Sequence, residues 1–226
     1  MRAVAGWARV VIVARLRFVN GLLAAGVLLA GAACTGVDQA SASGVGTADA
    51  VAQLAGQLAD SAALTYTATY RVAGGGTATV TRAQDPPRVA YRWPDGRLIV
   101  TPDGPIRCTG TRTCTITAPG GPVAAPPASS GVITSGAAQA MLRAAETQPA
   151  LDISQRDTTL AARHVACLRV RWSFEVCVTG DGILAAFTGT VAGTELEMTL
   201  TDLTSAAGDG DFRIPPGADV TDRRPR

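Results

Sequence analysis

The sequence predicts an α+β fold, an antiparallel β-meander of about ten or eleven short strands accompanied by two main helices. Three observations predict it. The apolar period switches from 3.6 to 2 near Thr65. Clusters of Gly, Pro and Asp then cut the chain into segments of strand length. A second stretch of helical spacing, followed by a second set of alternating segments, gives the order helix, meander, helix, meander.

Fold reasoning starts at Cys34, because residues 1–33 carry the anatomy of an export signal. Arg2, Arg9, Arg15 and Arg17 are the only charged residues before Cys34, and all precede the uncharged run Gly21–Ala33. As a helix that run reaches roughly 20 Å, short of the ~30 Å hydrocarbon core of a bilayer, so a cleaved signal fits better than a permanent anchor. No twin-arginine pair is present, which points to the general secretory route. Ala30-Gly31-Ala32-Ala33-Cys34 resembles a lipobox, with Gly31 where a large aliphatic residue is usual; an ordinary small-x-small cleavage site is the alternative. Cysteine arithmetic favours lipidation of Cys34. Five cysteines leave one unpaired in an oxidising compartment, and the other four form two local pairs, Cys108 with Cys114 and Cys167 with Cys177.

Every one of the 20 basic residues is arginine, which with the abundance of Ala, Gly, Val, Thr and Pro points to a GC-rich genome. Loss of four signal arginines shifts the formal charge of +2 to −2 in the mature chain. A near-neutral chain without lysine lacks the basic field that nucleic-acid binding needs.

The mature chain opens with a small, polar tether, 34–46. Thr47 then caps a helix running to about Leu64, with Val51, Leu54, Ala55, Leu58 and Ala62 as its apolar stripe. In Thr65–Val72, Tyr66, Ala68, Tyr70 and Val72 share one face. After Gly74-Gly75-Gly76, Ala78 and Val80 continue the alternation against Thr77, Thr79 and Thr81. Val89, Tyr91 and Trp93 alternate with Arg88, Ala90 and Arg92, and turns at Pro94-Asp95-Gly96 and Pro102-Asp103-Gly104 lead into further strands. Pro119–Gly131 is a loop, and Ser135 to Thr147 a helix with Ala138, Met141, Leu142 and Ala145 on one face. Five strands follow, near 151–159, 163–172, 174–179, 183–192 and 194–204.

A hairpin centred on Trp172 sets Cys167 opposite Cys177 and Arg169 opposite Glu175. The period of 2 then puts Leu168, Val170, Trp172, Phe174 and Val176 on the other, apolar face. The same logic sets Cys108 opposite Cys114, although four cysteines still allow three connectivities. Zinc or free thiols are poor alternatives with a single histidine and no CxxC.

Chemistry is scarce. His164 serves no nucleophile motif, and Glu195 and Glu197 read as a solvated face. The acidic turns Gly180-Asp181-Gly182 and Gly208-Asp209-Gly210-Asp211 lack the ligand series of a calcium loop. The chain is therefore expected not to be an enzyme, with no catalytic residue, metal or cofactor. Aromatics are only 4% of the chain, yet Tyr66, Tyr70, Tyr91, Trp93, Trp172 and Phe174 all take apolar-face positions. A strongly curved sheet would leave a gap for an apolar ligand between that face and the helices.

This order of signal, cysteine, tether, helix, meander, helix and meander resembles the LolA/LprG-type superfamily of bacterial envelope lipoproteins. The resemblance rests on the strand Tyr66-x-x-x-Tyr70, on Pro86-Pro87-Arg88-Val89-Ala90-Tyr91, and on Asp211-Phe212-Arg213-Ile214-Pro215-Pro216-Gly217. It implies an antiparallel half-barrel over 47–220, two helices on its concave face, and a short disordered tail, 221–226. It also implies a cavity in which Tyr66, Tyr70, Tyr91, Trp93, Leu168, Val170, Trp172 and Phe174 meet a lipid or acylated ligand, for transport or presentation. The expected partners are that ligand, the membrane surface reached through lipidated Cys34, and a membrane protein if the fold is a sensory module like the RseB/MucB regulators. The expected location is the outer face of the cell membrane, or free secretion if Cys34 is unmodified.

Overall fold

The computed structural model describes residues 38–225, apart from 111, 122–123 and 149–151. The export signal, Cys34 and the start of the tether lie outside the described residues. Among the described residues two α-helices, α1 (Asp38–Asp60) and α2 (Ser135–Glu146), accompany one sheet. Its first strands are β1 (Tyr66–Val72), β2 (Thr77–Gln84), β3 (Pro87–Trp93), β4 (Gly96–Thr101), β5 (Gly104–Thr109) and β6 (Thr113–Ile116). The rest are β7 (Ile153–Leu160), β8 (Arg163–Val170), β9 (Phe174–Thr179), β10 (Leu184–Val191), β11 (Thr194–Thr204) and β12 (Asp219–Asp222). The spatial order is β12-β6-β5-β4-β3-β2-β1-β11-β10-β9-β8-β7, so each meander runs in sequence order and the two join where β11 pairs with β1.

The sheet is open, curved and mixed. All pairings are antiparallel except β12 with β6. Curvature is strongest in the second meander, where β7 and β11 approach each other although three strands stand between them. Register shifts at Thr69/Tyr70 against β11 and at Leu184/Ala186 against β9 supply the bends, since an extra residue on one strand increases its local twist.

Alternation decides which side chains are buried. Tyr66, Ala68, Tyr70 and Val72 share one apolar cluster with Leu98, Leu168, Val176 and Met198, and with Val51, Leu54 and Leu58 of α1 and Ala138 and Leu142 of α2. Thr134 caps α2 by accepting from the backbone N–H of Ala137 at 3.1 Å. Gln139 donates from α2 to the Ala55 carbonyl of α1 at 3.0 Å.

Four expectations are corrected. First, α1 starts at Asp38, so Thr47 lies inside the helix and most of the expected tether is helical. A helix anchored by Val51, Leu54 and Leu58 extends toward its N-terminus at one hydrogen bond per residue, and Ala and Ser do not stop it. Secondly, Trp172 is not on the apolar face. The hairpin of β8 and β9 turns through residues 171–173, and Trp172 takes φ 64° and is 92% exposed. Thirdly, the sheet has a twelfth strand and is not purely antiparallel. Fourthly, that strand takes in the first two residues of the expected tail: Asp219–Asp222 pairs with Thr113–Ile116, framed by Asp219 N–H to the Arg112 carbonyl at 2.7 Å and Arg223 N–H to the Ile116 carbonyl at 2.9 Å. Parallel pairing needs a long crossover, and residues 205–218 provide it.

That crossover runs over the face of the sheet opposite the helices. Its 3-10 turn Asp209–Phe212 places Phe212 in a second apolar cluster with Ala83, Ala90 and Ile99. Arg88 lies 4.3 Å over the Phe212 ring and pairs with Asp209 at 2.9 Å, while Arg92 pairs with Asp211 at 3.2 Å. The carboxylates of the acidic turn are thus held by strand arginines.

Candidate functional site

Cross-strand register builds the site. Tyr66 faces Arg82, Arg82 faces Val89, Val89 faces Val100, and Val100 faces Pro105. Directly opposed residues share a face, so this row runs across β1 to β5 on the helix side of the sheet. It starts polar and turns apolar at Val89.

A hollow of about 410 Å³ lies on this row. Arg82, Val89, Tyr91, Val100 and Pro105 form its floor, Pro119, Gly121 and Ala124 of the long loop form a wall, and Thr134 and Gly136 at the start of α2 form its rim. A second hollow of about 730 Å³ continues past Leu98 and Arg107 and shares Pro105, Gly121 and Ala124 with the first. Gly104, the first residue of β5, lets the chain leaving β6 approach closely: a Cβ on it, at φ +119°, would lie 2.2 Å from the Thr117 carbonyl oxygen. A third hollow of about 220 Å³ lies between Met141 and Ala145 of α2 and Val170 and Phe174.

Arg82 dominates the electrostatics of the first hollow. It is half-buried, its Nε is enclosed without a hydrogen-bond partner in the protein, and one guanidinium nitrogen reaches the Ala62 carbonyl at only 3.4 Å. Burial raises the Tyr66 hydroxyl above its ordinary value, against the charge of Arg82 and hydrogen bonds with Arg82 and Ser135. Burial pushes Tyr91 up to about 12, again opposed by the Arg82 charge. Both hydroxyls therefore stay protonated, and the guanidinium is the charged group of this end.

The eight expected ligand-facing residues divide. Tyr91 lines the first hollow, and Val170 and Phe174 line the third. Tyr66, Tyr70, Trp93 and Leu168 are buried in the main cluster, so beneath the helices this aromatic face is packed core. Trp172 is in solvent. The sequence reading missed Arg82, Val100, Pro105 and Ala124. One signal was available for Arg82: the parity of Ala78 and Val80 continues to it, which puts a charge at an apolar-face position.

Both disulfides form as the hairpin registers require, Cys108–Cys114 and Cys167–Cys177. Cys167, Glu175 and Cys177 lie close enough to resemble a metal site, but both sulfurs are in the disulfide and Arg156 and Arg169 hold the carboxylate. His164 is exposed, 3.5 Å from Asp157, and Glu195 and Glu197 face solvent. No helix among the described residues is long and apolar enough to cross a membrane.

No protein-family model matches the chain, and none of the curated proteins matches it. Among solved structures, an uncharacterized conserved protein from Thermus thermophilus is similar, with 11% identity, a TM-score of 0.47, and coverage of 77% of this chain and 99% of that one.

Proposed function

We propose that the protein is an exported envelope lipoprotein that binds a lipid in the joined hollows over β3–β5 and carries or presents it at the membrane surface. In this reading the curved sheet acts as a half-barrel of the LolA/LprG type, with α1 and α2 on its concave side. Lipidation of Cys34 tethers it to the outer face of the cell membrane. The observation that carries the reading is the pair of hollows, about 410 and 730 Å³, sharing Pro105, Gly121 and Ala124. Hollows of this size, walled mainly by apolar and small side chains, suit an acyl chain. The test is mass spectrometry of organic extracts of the purified protein, with displacement of a neutral fluorescent hydrocarbon by long-chain lipids. Extracts without acyl lipid, and no displacement, remove the reading.

A second reading has one observation in its favour. The exposed Trp172, with the Arg171 guanidinium 5.2 Å from its ring, is an aromatic contact residue suited to a membrane-protein partner. Under it the chain is a sensory or interaction module, and Trp172→Ala abolishes crosslinking to that partner while lipid uptake is unchanged.

A further inference from the structure

We infer that Arg82 is a headgroup-binding residue and that the ligand is an anionic lipid, its oxyanion against the Arg82 guanidinium and its chain lying over Val89, Val100 and Pro105. This deepens the lipid-binding reading and rests on it. The case is one of charge and geometry.

Three arginines in the sheet are half-buried, Arg82, Arg88 and Arg97. Arg88 pairs with Asp209, and Arg97 donates to the Arg213 carbonyl at 2.9 Å beside Asp211. Arg82 has no carboxylate within 4.0 Å among the residues whose side chains are described. A guanidinium carries five donors in a planar fork matched to carboxylate and phosphate oxygens. Here the guanidinium lines the hollow, its partners are the neutral Tyr66 hydroxyl and the Ala62 carbonyl at 3.4 Å, and its Nε, like that of Arg88, is enclosed and unpartnered. A guanidinium held only by neutral partners gains from an oxyanion, whose charge-assisted bonds are stronger than theirs.

The remaining floor suits the rest of such a molecule. From Arg82 the row passes Val89 on β3, Val100 on β4 and Pro105 on β5. Pro105 is three strand spacings from Arg82, about 14 Å, of which the apolar floor from Val89 takes about 10 Å, and the second hollow continues beyond Pro105. Charge at one end and apolar surface along the rest is the pattern of an amphiphile.

Three probes of equal chain length test this on the mature protein: hexadecanoate, hexadecyl phosphate and hexadecanol, each displacing a neutral fluorescent hydrocarbon. At least one anion is expected to bind about tenfold or more tightly than the alcohol, and the two anions report which headgroup fits. Arg82→Gln is expected to remove the preference and leave hexadecanol affinity unchanged. Should Arg82→Gln fail to fold, the wild type decides by NMR of whichever anion binds more tightly, carbon for carboxyl-labelled hexadecanoate or phosphorus for hexadecyl phosphate, whose bound headgroup is expected to titrate below its free value. Equal binding of the three probes, a preference that survives Arg82→Gln, or an unshifted headgroup of the tighter-binding anion each overturns the role of Arg82 while lipid binding stands. Failure of all three probes to bind removes the lipid-binding reading as well.

Discussion

The hydroxyl of Tyr70 donates a 2.8 Å hydrogen bond to the backbone carbonyl of Leu184, tying β1 to the start of β10 inside the main apolar cluster. Leu184 stands at the irregularity where Ala185 is extra against β9, so this bond pins one of the two bends that curve the sheet. Burial, with the neighbouring Tyr66 and Tyr91, raises the Tyr70 hydroxyl well above its ordinary value, which keeps it a donor. Tyr70→Phe keeps the ring and strands the carbonyl. It is expected to lower the unfolding free energy by about 1–3 kcal/mol, read from urea transitions at constant slope. An unchanged midpoint would show that the bend holds without the bond.

The turn between β9 and β10 presses on α1 at Gly182. This residue has φ +85°, and a Cβ there would lie 2.0 Å from the Gln57 carbonyl oxygen. Backbone on both sides leaves nothing flexible to yield. Gly182→Ala is expected to destabilise by about 2 kcal/mol or more, from strain and displacement of the helix. Gly180, two residues away, has open space around its missing Cβ, so Gly180→Ala is expected to stay within about 0.5 kcal/mol. Thermal unfolding of the pair checks the contact, and equal effects would contradict it.

Glu175 sets an acid limit on the second meander. Burial raises its carboxyl, but hydrogen bonds and charge from Arg156 and Arg169 outweigh burial and hold it below the ordinary value. A depressed folded value means that the carboxylate contributes stability above its unfolded value of about 4.3, and that this contribution is lost as pH falls through the folded one. The stability gap between wild type and Glu175→Gln is therefore expected to be constant near neutrality and to close on acidification below about pH 4. A gap that persists at low pH would assign the effect of the substitution to packing.

How much was legible follows from the range over which each signal acts. Cys167 opposite Cys177 and Arg169 opposite Glu175 were readable because a hairpin fixes register locally. Trp172 was misplaced by the same rule, because alternation was carried through the turn, where φ 64° breaks the period. The helix-side position of Arg82 was readable from parity, but its lack of a carboxylate was not. That depends on which face of the sheet each acidic residue reaches: Asp209 and Asp211, more than a hundred residues along the chain from Arg88 and Arg92, pair with them on the face away from the helices. The strand at Asp219–Asp222 was hidden for a related reason: its partners are backbone groups of β6, and nothing in the side chains of a charged, Pro-ended segment announces them.

The crossover after β11 protects the sheet in two ways, and they can be separated. Ile99 points away from the helices yet is fully buried, because Phe212 covers it together with Ala83 and Ala90. Phe212→Ala is expected to cost about 3–5 kcal/mol. Asp209→Asn, which removes only an ion pair with a well-exposed carboxylate, is expected to cost less than about 1 kcal/mol. That ranking identifies apolar cover, not charge, as what holds the crossover down, and the reverse ranking would refute it. Truncation after Thr204 removes the cover and also strips β12 from β6. It leaves β6 as an open strand edge and uncovers Ile99 two strands away, and such edges pair with other chains. The truncated protein is thus expected to self-associate on size-exclusion chromatography, while Phe212→Ala, which keeps β12, is expected to elute with the wild type.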